Sequence, residues 1–265
     1  MLQLNDGNYY SLEANRAYMS YSQYKEFRSC EARAMAQLNG WESESSVDLL
    51  VGSYVHAWVE GEEALERFKA ENPDIFTQKG ELKAQFRNAE EMIQALQSDP
   101  LISLALTGEK EVIRTAEFAG CQWKVKIDIY NPKEGRFTDL KTARSLDDKV
   151  WTGGKYVHFI EARGYIGQMA LYQEIEARAT GRGEKLDPYV IIITKESPPN
   201  KEIVTFEPAD RLKPALDAIE KSMPRVLAVK SGQEEPTRCG SCEYCRGTKR
   251  LSKVWDYDEF LWEIA

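Results

Sequence analysis

The sequence predicts an α/β (α+β) fold: a central mixed β-sheet flanked by helices, with a mainly helical N-terminal part and a cysteine cluster near the C-terminus. Three observations predict it. Charged, helix-favouring residues dominate 61–71 and 81–97 in the first third of the chain. Strand character then takes over from Glu111 to Thr142, and Tyr189-Val190-Ile191-Ile192-Ile193-Thr194 is the continuous apolar run of a strand buried on both faces. Finally, Cys239-Gly240-Ser241-Cys242-Glu243-Tyr244-Cys245 gathers three thiols within seven residues.

Taken in order, Ser20 or Ser22 caps a helix expected to reach about Asn39, where Gly40 ends it. Tyr21, Tyr24, Phe27 and Cys30 recur along it at helical spacing. A second helix covers Val47 to Val59, through Gly52, Ser53 and His56. Val125-Lys126-Ile127-Asp128 and Thr138-Asp139-Leu140-Lys141 read as strands joined by the turn Asn131-Pro132-Lys133-Glu134-Gly135. Tyr156 to Thr180 reads as a helix stopped by Gly181 and Gly183. After the buried strand, Pro198-Pro199-Asn200 turns the chain into a partner strand over Glu202 to Phe206, and a helix runs from Pro208 to about Val229. No repeat or linker interrupts the chain. The simplest organisation is one domain over 1–265, with a mainly helical part at 20–110, a core at 111–230 and a Cys-rich segment at 236–251.

At 265 residues the chain can bury a substantial core. No apolar run approaches the length of a membrane span, and the start lacks the basic-then-apolar pattern of a secretory signal, so a soluble, cytoplasmic protein without a membrane partner is expected. Five cysteines, an odd number without an export signal, point to metal ligation rather than disulfides. The net charge of −8 argues against a general nucleic-acid coat. It is compatible with acidic metal ligands, whose bound cation reverses the local potential.

On adjacent strands Asp128 and Asp139 come close enough to share a divalent cation. The strand period of two puts Lys141 on the face of Asp139 and turns Leu140 into the core. A lysine beside a metal-bound carboxylate has an electrostatic use, in positioning an attacking water or stabilising charge on a phosphate. Two carboxylates, a lysine and a metal suffice to hydrolyse a phosphodiester.

These residues carry a resemblance. Asp128…Asp139-Leu140-Lys141 resembles the motif of the PD-(D/E)XK nuclease superfamily, with its restriction-endonuclease-like core. The surroundings resemble the RecB-type branch, and most of all the phage RecE-like exonucleases (exodeoxyribonuclease VIII-like). Gly52-Ser53-Tyr54-Val55-His56 is similar to that branch's Gly-x-x-x-His helix, and Gln168-Met169-Ala170-Leu171-Tyr172 to its Gln-x-x-x-Tyr helix. The similarity spans about Tyr21 to Leu251. It implies that Asp128, Asp139, His56 and the backbone carbonyl of Leu140 hold Mg²⁺ or Mn²⁺, with Asp128, Asp139 and Lys141 catalytic. It also implies that Gln168 and Tyr172, four residues apart on one helix face, look onto the active site and DNA. Glu111, at the start of the preceding strand, matches a position where relatives often carry an acidic residue. His158 sits in no motif and is read as structural.

For the thiols, a structural Zn²⁺ and a 4Fe-4S cluster compete, and each needs a fourth cysteine beside Cys239, Cys242 and Cys245. Cys30 and Cys121 are the candidates. Phe27-Arg28-Ser29-Cys30 resembles the early helix of RecB-type nucleases that carry a four-iron cluster, which favours Cys30 and iron. The two-residue gap between Cys242 and Cys245 is shorter than in the best-known versions of that pattern. Thr142 and Arg144, next to the catalytic strand, are candidate DNA contacts, and the segment through Trp151 mixes hydroxyl, basic and aromatic groups suited to a backbone and a terminal base. Arg238, Arg246, Lys249 and Arg250 form a second basic group, read equally as solvated. No reader of base sequence is evident.

The expected activity is a metal-dependent DNA exonuclease (a phosphodiester hydrolase). By resemblance it would resect linear duplex ends in phage-type homologous recombination, with a single-strand annealing protein as partner and a homo-oligomeric ring as a possible assembly. Two alternatives stand beside it: an iron–sulfur nuclease trimming single-stranded DNA as in CRISPR adaptation, and a non-catalytic DNA-end-binding module.

Overall fold

The computed structural model describes residues 2–43 and 46–264. The N-terminal part is helical, as expected: α1 (Leu12–Ala17), α2 (Tyr21–Ser29), α3 (Glu31–Leu38), α4 (Val47–Glu60), α5 (Glu62–Glu71), α6 (Ala84–Gln97) and α7 (Pro100–Ala105). Three antiparallel strands follow, β1 (Glu109–Phe118), β2 (Cys121–Asn131) and β3 (Arg136–Ala143). A small ribbon, β4 (Lys149–Thr152) and β5 (Lys155–His158), precedes α8 (Phe159–Ala162) and α9 (Tyr165–Thr180). The chain then adds β6 (Asp187–Thr194), β7 (Lys201–Val204), α10 (Lys213–Lys230), α11 (Glu243–Gly247) and α12 (Tyr257–Ile264). No described helix is long and apolar enough to cross a membrane.

The main sheet is mixed, in the order β1-β2-β3-β6-β7, with β6 running parallel to β3. Its centre is buried on both faces, and β6 divides its side chains accordingly. Val190 and Ile192 pack with α2, α9 and α10 through Tyr24, Met169 and Met223. Ile191 and Ile193 pack with α4, α6 and α7 through Val55, Met92 and Ile102. Alternation of this kind explains why the strand reads as an unbroken apolar run. The α9 helix ends at Gly181, whose φ of 68° lies in the left-handed region that glycine adopts at little cost.

Two expectations fail, each for a tertiary reason. The helix expected from Ser20 to Asn39 is two helices. Ser20 does cap the first, accepting from the Gln23 N–H, but Cys30 between them is extended, at φ −160° and ψ 105°. No glycine or proline forces that break. It turns the Cys30 thiol to within 3.5 Å of Cys245 Sγ, 215 residues along the chain. The helix expected from Tyr156 begins instead at Tyr165, after the ribbon and α8. Gly153 and Gly154, at φ 55° and 85°, close that ribbon, a turn the strand-poor surroundings conceal.

The C-terminal segment is tied to α3 by charge. Arg225 on α10 grips Glu31 with two donors, Nε at 2.9 Å and Nη2 at 2.6 Å, while the backbone N–H and hydroxyl of Thr237 donate to the same carboxylate at 2.8 Å. The Arg225 hydrogen bonds, followed by those of Thr237, pull the Glu31 carboxyl down to about 2. A folded-state value below the unfolded one stabilises the protein above the ordinary carboxylate range, and the gain is lost as pH falls towards about 2. Glu31→Gln is therefore expected to lower the melting temperature at pH 7 by about 2–4 °C, with the gap to the parent closing progressively below about pH 4.5. Thermal melts across that pH range check it, and a gap independent of pH would refute the charge-based account.

Candidate active site

The site forms where two strands part. The β2–β3 ladder pairs Asn131 with Arg136, Tyr130 with Phe137 and Ile129 with Thr138, and then stops. The next positions in that register are Asp128 and Asp139. On its other edge β3 stays paired with β6 throughout, from Arg136 to Ala143. The backbone N–H of Leu140, released from the ladder, donates to Asp128 Oδ2 at 2.8 Å. A carboxylate thus substitutes for the missing strand partner, and both aspartates open towards the cleft while the Leu140 side chain stays fully buried.

Other expected residues converge on this point. His56 on α4 brings Nδ1 to 3.5 Å from Asp128 Oδ2. Lys141 Nζ lies 2.6 Å from Asp139 Oδ2 and 5.0 Å from the Tyr165 ring centre. Gln168 on α9 donates to Asp139 Oδ1 at 3.1 Å, and Tyr172, one turn further, faces the same cleft. Glu111 is also there, third in β1 rather than first. Its backbone takes φ 55°, a strained value for a non-glycine residue, and Lys126 Nζ meets its carboxylate at 2.7 Å. It is a half-buried acidic neighbour of Asp128, not a solvated one.

Electrostatics suit a cation here. Burial, then the charge of Asp139, raises Asp128 to about 7. Burial, then Asp128, raises Glu111. Burial opposes the charge on Lys141, but Asp139 and Asp128 together outweigh it and hold the ammonium protonated. Burial, then Lys141, lowers His56, leaving a neutral imidazole able to ligate. Asp139 Oδ2 is buried with no partner beyond the Lys141 ammonium. An oxygen so placed, beside a second carboxylate and an imidazole, fits a divalent ion.

Two clefts, of about 1130 and 770 Å³, meet here and share His56 and Lys141 in their walls. The larger contains Thr142 and Arg144, as expected. The smaller is walled by residues that sequence reasoning passed over, among them Tyr21 and Lys25 of α2. Their i, i+4 spacing reads only as part of a core stripe. Tyr21 Oη donates to the Gly164 carbonyl at 2.5 Å and Lys25 Nζ to that of Arg163 at 3.0 Å, which fixes α2 against the start of α9. His158 is structural, as expected: its ring meets the Leu146 carbonyl at 2.8 Å and caps α8.

At the far end of α2 the four thiols Cys30, Cys239, Cys242 and Cys245 have all their sulfurs within 4.8 Å of one another. They are free, not disulfide-bonded. Cys121 lies apart, its Sγ 3.9 Å from the Phe118 carbonyl. The Cys242 N–H, then that of Ser241, lowers the Cys239 thiol to about 5, so a thiolate is ready to ligate. Arg246 donates to the Ser241 carbonyl and Arg238 to the Cys245 carbonyl, bracing the loop, whereas Lys249 and Arg250 are exposed.

Residues 20–248 match a family described as a PDDEXK-like domain of unknown function, DUF3799. The chain belongs to this family. Its fold is that of the PD-(D/E)XK nuclease superfamily. The crystal structure of a candidate exonuclease from Eubacterium rectale is similar to this PDDEXK-like protein at 42% identity and a TM-score of 0.91, covering 98% of each chain. The structure of SSO0001 aligns at 14% identity over 88% of this chain and 96% of its own, with a TM-score of 0.32 that supports no comparison. No curated protein matches the chain.

Gly52 explains part of the Gly-x-x-x-His pattern. A Cβ there would lie 3.3 Å from Thr142 Oγ1, so the glycine lets α4 approach β3 and bring His56 to Asp128. Gly52→Ala is expected to change stability little, because helix propensity offsets the slight crowding. Gly52→Val should cost about 1–3 kcal/mol by forcing α4 away. Denaturant melts of both variants check this, and equal stabilities would refute the close-approach argument.

Proposed function

We propose that the protein is a metal-dependent nuclease hydrolysing phosphodiester bonds at DNA ends. The observation that carries the reading is the meeting of Asp128, Asp139 and Lys141 where β3 leaves β2, on the wall between two clefts. Similarity over nearly its whole length to the E. rectale candidate exonuclease supports the choice of reaction. Asp128, Asp139, His56 and the Leu140 carbonyl, with Glu111 beside them, are the residues that would hold Mg²⁺ or Mn²⁺. Such an ion supplies a water of lowered pKa and positive charge against the phosphate.

The chain's own groups divide the remaining work. The Leu140 N–H fixes the Asp128 carboxylate and Gln168 fixes that of Asp139, so both keep their orientation as charge builds up nearby. Lys141, protonated, orients the attacking water or neutralises a phosphoryl oxygen. Tyr172 keeps its hydroxyl proton, since burial and then the charges around it raise its pKa well above the usual value. Thr142 and Arg144 line the path of the strand and contact its backbone, which carries no sequence information. In this reading residues 1–265 act as one domain. The role in recombination, the annealing partner and a ring assembly follow from the RecE-like resemblance.

For the thiols we propose a single four-thiolate centre. The Cys30–Cys245 and Cys239–Cys245 sulfur separations are 3.5 and 3.9 Å. A zinc bound tetrahedrally at about 2.3 Å needs edges of roughly 3.8 Å, and a four-iron cube holds its thiolates farther apart. The separations favour one ion over the iron–sulfur cluster expected by resemblance.

Two outcomes are expected. Asp139→Ala and Lys141→Ala should each slow degradation of end-labelled linear DNA in Mg²⁺ or Mn²⁺ by about 100-fold or more, as should chelator with the parent protein. An unchanged rate in either folded variant would remove the assignment. Metal analysis after anaerobic purification should give about one zinc per chain and a colourless protein. A brown protein with several irons and absorption near about 400 nm would replace zinc with a cluster.

A further inference from the structure

Among the described residues the ribbon of β4 and β5 pairs with no other strand: Lys149 faces His158, Val150 faces Val157, Trp151 faces Tyr156 and Thr152 faces Lys155. Its two-residue glycine turn is the left-handed pair that suits the natural twist of a tight hairpin. The root is anchored in the wall of the larger cleft. The Phe159 N–H donates to the Asp148 carbonyl at 3.1 Å, and Asp148 pairs with Arg163 at 3.5 Å.

Near the tip, Trp151 and Tyr156 lie directly across from one another, their rings 5.0 Å apart at 70°. They are 62% and 68% exposed. Two large aromatic rings exposed to water, on a hairpin rooted in the wall of the cleft assigned to the DNA strand, match the requirements of a base-stacking platform. Stacking needs only a free π face, so it tolerates any base sequence. Inside a duplex both faces of each base are covered, and only a terminal or unpaired base offers one. Charge agrees with a nucleic-acid occupant. Lys149 and Lys155 sit on the ribbon, and Arg144, in the cleft wall, has no ion-pair partner among the described residues.

We propose that Trp151 and Tyr156 stack on the exposed face of the terminal base of a DNA end, and so make the enzyme select ends over continuous duplex. This deepens the nuclease reading above and rests on it. The platform acts before chemistry, in binding, and its effect is measurable without metal.

The test uses the full chain in chelator, with linear DNA carrying 2-aminopurine at its terminus and with a closed circle of the same sequence. The parent should bind the linear end more tightly and quench the fluorophore. Trp151→Leu with Tyr156→Leu keeps apolar residues on the ribbon but removes the rings. It should weaken end binding about 10- to 100-fold, abolish quenching and leave circle binding unchanged, while Trp151→Phe with Tyr156→Phe should restore both signals. Unaltered end affinity and quenching in the leucine pair, with the parent still degrading linear DNA once Mg²⁺ replaces the chelator, would overturn the platform alone. A leucine pair that instead changed the sedimentation coefficient with end binding intact would overturn it in favour of an interface between copies. A parent that neither bound DNA in chelator nor degraded it with Mg²⁺ or Mn²⁺ would overturn the nuclease reading and the platform together.

Discussion

Everything at the centre of this molecule depends on one backbone N–H changing partners. Along β3 the amide of Leu140 has no strand to bond on the β2 side, and it finds Asp128 Oδ2 instead. An unpaired buried amide would cost a large part of a hydrogen bond, so Asp128 is held where the amide needs it. The same parting leaves Asp139 without a ladder neighbour on the β2 side and opens the space in which Lys141, His56 and Gln168 meet. Because β6 holds the other edge of β3 over its whole length, the opening is local and the sheet stays rigid around it. A site of this kind belongs on a stiff scaffold, where small displacements are resisted by packing on both faces.

The residues of the site were legible because each obeys a local rule. Asp139 and Lys141 share a face through the strand period, Gln168 and Tyr172 through the helical one, and the order of four short patterns gave their mutual placement. Glu111 was legible as a residue but not in its surroundings. Only the fold reveals that it stands beside Asp128 with a strained backbone and Lys126 for company. What the sequence could not convey were departures from local preference enforced at a distance. Residues 20–39 have the composition of one helix, and nothing within them announces that Cys30 must turn towards Cys245. The ribbon at 149–158 is similarly hidden, being two strands of four residues with no sheet to join.

The thiol centre and the cleft are mechanically connected through α2. One end of that helix is fixed at Cys30, by the four sulfurs and by the Glu31–Arg225–Thr237 network beside it. Its other end contributes Tyr21 and Lys25 to the cleft wall and bonds the turn that starts α9, the helix of Gln168 and Tyr172. A metal bound by the four thiols would hold one wall of the cleft in place without entering it.

The partners of that lock are separated by almost the whole polypeptide. During synthesis Cys30 is made 215 residues before Cys245, which lies in the segment that secures α2. Until then a growing chain already carrying both aspartates and the lysine holds α2 only by its contacts with α9 and the core. A chain cut short before Cys239 therefore keeps both aspartates and the lysine but lacks three of the four thiols gathered at the end of α2.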